Sequence, residues 1–513
     1  MTDDRIIASL LSDLPGARLV RGAGSTRVAA VDHDSRAVIR GSLFVAIPGF
    51  SVDGHRFLPD AVRAGAAAVL VQDDHVEAAT GLSDEVAIIA VPDSRVALSR
   101  VAAWFYGYPA RQMRVIGITG TDGKTTTSHM VSSVFEAAGA RAARMGTVDT
   151  YIPGLEGEPP SRMSTPEANQ VHRILRRALD SGCDVAVVES TSHGLALHRL
   201  DDVDYDVAAF TNVTGDHLDF HQTFEAYRDA KAQLFAALER PAVKPFPRVA
   251  VVNADDPSAQ YMLSQAPNAA SISFGFEARD LDVFARNVHL RADGTSFRLV
   301  TPLGAIDVTI QLPALFNVAN ALTAASIGIA CDIPLAAIQY GLQALDGVPG
   351  RMERIDAGQP FNVIVDYAHT GDAVRKALAV LREVSSGRLT VVAGAAGDRD
   401  PGRRFGVARA AADGADFAIF TSEDPRSEDP SAIVREIASH AESAGRAAGD
   451  DFIEVEDRRQ AIAEAFHRAT PGDTVLICGK GHEQSMIYGR EARPWDDRTV
   501  AREELARLGF RRA

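Results

Sequence analysis

Cysteine is scarce in this 513-residue chain: there are three, Cys183, Cys331 and Cys478, each in an apolar setting such as TVLICGK. With no CxxC and no metal-ligand spacing, a disulfide framework and a thiolate metal site are excluded, and buried reduced thiols are expected. Long hydrophobic runs are missing too. No stretch approaches the ~20 apolar residues that cross a bilayer, although 46% of the residues are hydrophobic and 24% charged, as in ordinary globular proteins. The start, MTDDRIIASLLSDLPG, lacks the basic, apolar and small-residue segments of a secretory signal. A cytoplasmic location without membrane association is therefore expected. Positive charge is short as well: 53 Lys and Arg stand against 68 Asp and Glu, for a net −15. That balance excludes sequence-independent nucleic-acid binding, which needs a cationic face. An acidic chain can still bind a nucleotide at a local site of backbone amides, lysine and metal. No GxSxG elbow occurs, so a serine nucleophile of that kind is excluded.

What is present points to several domains. A single core stops growing at roughly 250–300 residues, so this length predicts two or three. The turn-rich segments YGYPA (106–110) and DGVPG (346–350) mark two boundaries, giving domains 1–107, 108–345 and 346–513. In the first, strands such as SLFVA (42–46) and AAVLV (67–71) alternate with an amphipathic helix. In the others, short apolar runs end in polar clusters and helical stretches follow. The pairs are RVIGIT then GTDGKTT, DVAVV then ESTSHG, DVAAF then TNVTGDH, and RVAVV then NADD. Later come NVIV then DYAHT, LTVVAG then AAGDRD, ADFAIF then TSEDPR, and TVLIC then GKGHE. Continuous apolar strands separated by helices predict parallel sheets covered on both faces. The expected fold class is α/β in three domains: a small N-terminal α/β domain, a central P-loop parallel-sheet ATPase domain and a C-terminal Rossmann-like domain. Open parallel sheets bind ligands beyond the carboxyl ends of their strands, where these polar clusters fall.

The sharpest motif is Gly120, Thr121, Asp122, Gly123, Lys124, Thr125 and Thr126, between a strand and a helix expected over about 124–138. Its glycines let successive amides face a phosphate at a helix N-terminus. Lys124 would neutralise β/γ-phosphate charge and the Thr125 hydroxyl would take Mg²⁺, so ATP and Mg²⁺ are expected. The loop is a shortened variant, because Ile118 stands five positions before Gly123 where a glycine is usual. Glu189 ends the strand DVAVVE, where a magnesium-associated acid is expected. His217, in GDHLDFH, and Lys231, in AYRDAKAQLF, read in isolation as a turn histidine and a solvated helix lysine.

Taken together and in order, GTDGKTT, ESTSHGL, TNVTGDHLDFH, AKAQLF, FNVAN, GRMER, DYAHT, GDRD, EDPR and GKGHE resemble the Mur ligase family, and within it the tripeptide synthetases. The resemblance spans essentially the whole chain. It implies an ATP-dependent ligase of peptidoglycan synthesis, acting as a monomer, that joins a diamino acid to UDP-N-acetylmuramoyl-L-alanyl-D-glutamate through an acyl phosphate. It further implies that Lys231 is carbamylated, an N6-carboxylysine that ligates magnesium with His217, while Glu189 and Thr125 hold magnesium near the phosphates. Asn317 and Asn320 resemble an adenine-binding pair; Arg351 and Asp366 resemble residues reaching the nucleotide from the C-terminal domain, with His369 close by. Ser35, Ser164, Thr165, Thr191 and Arg199 match positions for the UDP-muramyl dipeptide.

Arg399, Glu423, Asp424, Pro425, Arg426, Gly479 and Glu483 match the pocket for the incoming amino acid. Two guanidinium forks, Arg399 and Arg426, would suit the two carboxylates of meso-2,6-diaminopimelate, with Glu483 accepting from its distal ammonium. The bland reading pairs these arginines with Asp398, Asp400 or Glu428. This sequence departs from the family pattern at Asp122 and Asp424, where asparagine is usual, at Leu197, where glutamine is frequent, at Gly371 for proline, and at Ala395-Ala396. A free carboxylate at 424 should repel the distal carboxylate of diaminopimelate and favour L-lysine or L-ornithine. With lysine, however, Arg426 would lack a ligand partner, and a buried unpaired guanidinium is costly. Diaminopimelate is the expected substrate, with lysine and ornithine as alternatives. More distant alternatives are a folylpolyglutamate synthetase and a nucleotide-dependent switch, the latter without an Asn/Thr-Lys-x-Asp guanine-reading segment.

Overall fold

The computed structural model describes residues 5–49, 52–155, 163–215, 218–276, 280–291 and 294–511, without the side chains of 218 and 219. The chain forms two compact units, the first made of Met1–Ala285, Leu299–Ile306 and Ala319–Gly341, the second of Arg286–Arg298, Asp307–Val318 and Leu342–Ala513. All three cysteines are buried free thiols, as expected. No helix among the described residues is long and apolar enough to cross a membrane.

The first unit contains two sheets. The N-terminal one comprises β1 (Arg18–Arg21), β2 (Ala30–Asp32), β3 (Ser42–Val45), β4 (Ala68–Gln72) and β5 (Ala87–Val91), in the order β1-β5-β4-β3-β2. Only β1 runs antiparallel to its neighbour. Successive residues point to opposite faces: Leu43, Val45, Leu70 and Ile89 join one core while Phe44, Val69, Val71 and Ile88 join another. Apolar layers on both faces explain why β3, β4 and β5 read as nearly unbroken hydrophobic runs.

The second sheet carries β6 (Arg114–Thr119), β7 (Ala142–Met145), β8 (Thr150–Tyr151), β9 (Val185–Glu189), β10 (Val207–Phe210), β11 (Val249–Asn253) and β12 (Ala270–Gly275). Their order is β12-β11-β10-β6-β9-β7-β8, with β6 in the middle and parallel to β9 and β10. The helices Lys124–Ala137, Ala168–Asp180 and Phe224–Ala236 follow β6, β8 and β10 in the chain. The last of them is capped by Thr223, whose side chain accepts from the Ala226 amide. Strands Val283–Arg291, Gly294–Thr301 and Gly304–Ile310 come next in the chain, the first starting parallel to β12 with Val283 opposite Phe274.

In the second unit, five strands, Asn362–Asp366, Leu389–Ala393, Phe417–Phe420, Phe452–Glu454 and Thr474–Cys478, form a parallel sheet. Thr474–Cys478 lies between Asn362–Asp366 and Leu389–Ala393, and the short Glu353–Arg354 pairs antiparallel at one edge. Val391, Phe420 and Leu476 face one core and Val392, Ile419 and Ile477 the other. A hairpin, Ser485–Tyr488 with Glu491–Pro494, stands apart as a two-stranded sheet.

Candidate active site

In the first unit the polar loops gather at the carboxyl ends of β6, β9, β10 and β7. The chain leaves β6 at Thr119 and turns through Gly120 and Gly123, at φ 155° and 85°, into the helix at Lys124. A Cβ on Gly120 would overlap Thr211 Oγ1, so only glycine lets the loop lie against the end of β10. The strand-end residues fix the loop from outside: the Thr121 amide donates to Asn212 O at 2.8 Å and the Asp122 amide to Asn212 Oδ1 at 2.9 Å. Thr211 Oγ1 donates to Asp122 O at 2.7 Å, and Asp122 itself is exposed. The first amides of the helix have no intrahelical acceptor, and the helix dipole favours an anion there.

Lys124 Nζ donates to Gly120 O and Thr121 O, each at 2.8 Å. Lys231 is not the solvated helix lysine that its local sequence suggests. It is 1% exposed, with Nζ 2.7 Å from Gly120 O and 4.2 Å from the centre of the Tyr227 ring. Tyr227 OH in turn lies 3.1 Å from Thr121 Oγ1. His217 lies outside the described residues.

Glu189, at the end of β9, is buried and accepts from Thr125 Oγ1 at 3.1 Å, from the Thr147 amide at 3.1 Å and from Thr147 Oγ1 at 2.9 Å. These are oxygen donors, the set that suits a hard cation, so Thr125 and Glu189 fit magnesium. A cationic amine at 231 does not fit as a ligand, whereas its carbamate would present oxygens. Glu189 O accepts from Thr165 Oγ1 at 2.9 Å, Thr165 and Thr191 hydroxyls are 2.9 Å apart, and Arg199 donates to Thr165 O at 3.0 Å while pairing with Glu167 at 2.6 Å. A continuous chain of polar contacts thus joins the P-loop to Thr191 and Arg199. Ser164 is half-buried beside Thr165. Ser35, also half-buried, follows β2, whose Val31 carbonyl accepts from Asn169 at 3.4 Å. Asn320 and Asn317 are buried on the helix Leu315–Ala330; Thr127 donates to Asn320 at 3.3 Å, and Asn317 donates to Pro313 O at 2.7 Å.

The second unit brings another group together at the ends of its parallel strands. Asp366 accepts from the Met352 amide at 2.7 Å and the Ala368 amide at 2.8 Å, which ties GRMER to DYAHT. Arg351 lies over Tyr367, 4.8 Å from its ring centre, and His369 Nδ1 is 2.9 Å from Tyr367 O. The GDRD and EDPR loops are pinned to each other: the Gly397 amide donates to Asp424 O at 3.0 Å and Ser427 Oγ to Asp398 at 2.6 Å. Pro425 stands between two residues of positive φ, Asp424 at 30° and Arg426 at 52°, a strained arrangement of the kind that concentrates at functional sites.

The structure corrects the sequence reading of Asp424. Asp424 is not a free carboxylate: it is buried, and its Oδ1 accepts from Lys480 Nζ at 2.8 Å and from the Ile487 amide at 2.9 Å. Glu483 also accepts from Lys480. Neither arginine makes the ion pair with Asp398, Asp400 or Glu428 that stood as the alternative reading; Glu428 is taken by Arg404 at 2.6 Å, Arg399 is exposed, and the buried Arg426 Nε has no hydrogen-bond partner. Glu423 is buried behind Gly479, where a Cβ would overlap its carboxylate, and burial pushes its pKa up to about 7 against the pull of Arg458 and Lys480. Sequence reasoning singled out neither Thr147 nor Lys480. Thr147 carries no motif of its own, but Lys480 lies within GKGHE.

Comparison with known proteins shows the family. Residues 118–328 match the Mur ligase middle domain, 350–481 the glutamate ligase domain of Mur ligases, and 27–106 the Mur ligase catalytic domain. The chain is 46% identical over 490 residues to the UDP-N-acetylmuramyl-tripeptide synthetase of a Roseiflexus species, covering 94% of this chain and 95% of that one. It is 42% identical over 502 residues to the UDP-N-acetylmuramoyl-L-alanyl-D-glutamate–2,6-diaminopimelate ligase of Bacillus licheniformis, covering 98% and 99%. A solved structure of a ligase of that last name superposes with a TM-score of 0.68 at 29% identity, over 98% of this chain and 99% of the other. With its three-domain α/β architecture, the chain belongs to the Mur ligase family of ATP-dependent ligases.

Proposed function

We propose that this ligase joins meso-2,6-diaminopimelate to UDP-N-acetylmuramoyl-L-alanyl-D-glutamate in the cytoplasm, as a monomer whose domains divide at 107/108 and 345/346. The observation that carries the reading is the polar chain from Gly120 and Thr125 through Glu189 to Thr165, Thr191 and Arg199, which makes a phosphate site continuous with a second polar site. In this reading Arg199, Thr191, Thr165, Ser164 and Ser35 hold the muramyl dipeptide so that its terminal carboxylate faces the γ-phosphate of ATP. Asn317 and Asn320 read the adenine, and Arg351 and Asp366 serve the nucleotide from the C-terminal domain. Lys124 and the loop amides take up the charge that develops as the carboxylate oxygen bonds to phosphorus and ADP departs. Magnesium, held by Thr125, Glu189, His217 and the carbamate of Lys231, would supply further charge neutralisation. The amine of the incoming amino acid then attacks the acyl carbon, and the tetrahedral intermediate expels phosphate to leave an amide.

Two observations favour diaminopimelate over lysine or ornithine. Lys480 and the Ile487 amide occupy the Asp424 carboxylate, so it does not stand as a bare charge against a distal carboxylate. Arg426 carries a buried Nε without a partner, and a carboxylate is the ligand that satisfies a guanidinium. The test is a panel of meso-diaminopimelate, L-lysine and L-ornithine, with phosphate release as the readout. Release should require both the muramyl dipeptide and an amino acid, and kcat/KM should be highest for diaminopimelate. A preference for lysine or ornithine would sink the substrate assignment and leave the ligase assignment standing.

A further inference from the structure

Two carboxylates meet one buried ammonium just past Thr474–Cys478, and a third, Glu423, feels its charge. Lys480 is 1% exposed, and its Nζ donates to Asp424 at 2.8 Å and to Glu483. A second buried cation, Arg458, spends its hydrogen bonds on other partners: it grips Asp497 with Nε and a terminal nitrogen at 2.8 and 2.7 Å and donates to Cys478 O at 2.8 Å. Burial raises the pKa of Glu423 to about 7, so its carboxyl is less readily ionised than an ordinary one. Lys480 therefore carries the charge balance for Asp424 and Glu483, one ammonium against two carboxylates. The Ile487 amide ties Asp424 to the Ser485–Tyr488 hairpin, which also receives the Arg426 amide, donating to Ile487 O at 2.9 Å.

Resting on the reading that this cluster takes the incoming amino acid, we propose that Lys480 is a positioning residue that sets amino-acid selectivity: it ties the Asp424 carboxylate into the loop and leaves Arg426 to read the far end of the ligand. Without Lys480, two uncompensated carboxylates would face the pocket. Diaminopimelate brings two ammonium groups and two carboxylates, whereas lysine brings one carboxylate fewer and a net positive charge. Extra negative charge in a poorly solvated pocket therefore penalises diaminopimelate relative to lysine.

The experiment compares kcat/KM for meso-diaminopimelate and L-lysine in the intact enzyme and in Lys480→Met, Lys480→Met/Asp424→Asn and Arg426→Ala, together with the KM for ATP and the thermal melt. Lys480→Met should lower the diaminopimelate-to-lysine ratio at least tenfold while the KM for ATP stays within about twofold. Adding Asp424→Asn, which removes the carboxylate set free, should restore the ratio at least threefold. A lysine that merely holds the fold would give no such recovery. An unchanged ratio in Lys480→Met, or a double variant no better than the single one, overturns the proposal. Should Lys480→Met lose its cooperative melt, Lys480→Gln, which keeps N–H donors without the charge, is judged by the same ratio. Arg426→Ala separates the two levels: if it raises the KM for diaminopimelate while the Lys480 variants leave the ratio alone, only this inference fails. If Arg426→Ala and the Lys480 variants all leave amino-acid use untouched, the placement of the amino-acid site fails with it.

Discussion

Lys124 and Lys231 donate to the same acceptor, the carbonyl oxygen of Gly120, at 2.8 and 2.7 Å. One lysine comes from the turn itself and the other from a helix that follows β10, so two ammonium groups converge on the loop where a phosphate is expected. This shared contact makes the two lysines separable by experiment, because their proposed chemistry differs.

Lys124→Ala should lower amide synthesis by at least about 10²-fold, the scale of losing one preorganised donor to a developing oxyanion. The helix Lys124–Ala137 should survive, since its first turn loses no intrahelical bond. Steady-state rates with the thermal melt as a control decide it, and near-normal turnover in a folded variant would remove Lys124 from the mechanism.

Lys231→Ala should be close to inactive, and a small carboxylate such as acetate should restore part of the rate by supplying the oxygens that a carbamate would provide. The assay is rate against added carboxylate. Full activity without additive would contradict the carbamate.

Thr147→Val removes one of three donors to the Glu189 carboxylate and keeps the backbone one. Groups that orient a metal ligand are typically worth 10–100-fold in metal affinity. The magnesium concentration for half-maximal activity should therefore rise about tenfold. An unaltered magnesium titration would show that Thr147 does not orient Glu189.

Glu423→Gln should change how stability depends on pH. Burial raises the carboxyl from 4.5 to about 7, so between those values the folded state binds more protons than the unfolded one. The stabilisation is complete below about 4.5 and is lost as pH rises through 7, an effect on the order of 3 kcal/mol in full. The neutral amide lacks this loss, so Tm of the variant relative to the parent should climb between pH 5 and pH 8. Parallel Tm profiles would refute the buried, raised carboxyl.

Much of the fold was legible because the inner parallel strands, such as Arg114–Thr119, Val185–Glu189 and Thr474–Cys478, are buried on both faces, leaving an unbroken apolar run that ends where polar residues begin. Glu189 and the GTDGKTT turn could be located that way, at the ends of β9 and β6. The surroundings of the named residues were decided by partners far away in the chain, which local sequence does not show. The helix around Lys231 looks solvated residue by residue; the Gly120 carbonyl and the Tyr227 ring bury it. Asp424 reads as a repulsive charge until Lys480, from another strand end, is brought to it. Thr147 follows a short strand in a segment without any motif, and only the closeness of β7 to β9 reveals it.

The strand that completes the C-terminal sheet, Thr474–Cys478, is the last of its parallel strands in sequence yet pairs with Asn362–Asp366 on one side and Leu389–Ala393 on the other. A growing polypeptide therefore cannot close this sheet until Thr474–Cys478 has left the ribosome, and until then the two flanking strands expose unpaired edges. The cluster of Lys480, Asp424 and Glu423 therefore forms only in chains that extend past Thr474–Cys478.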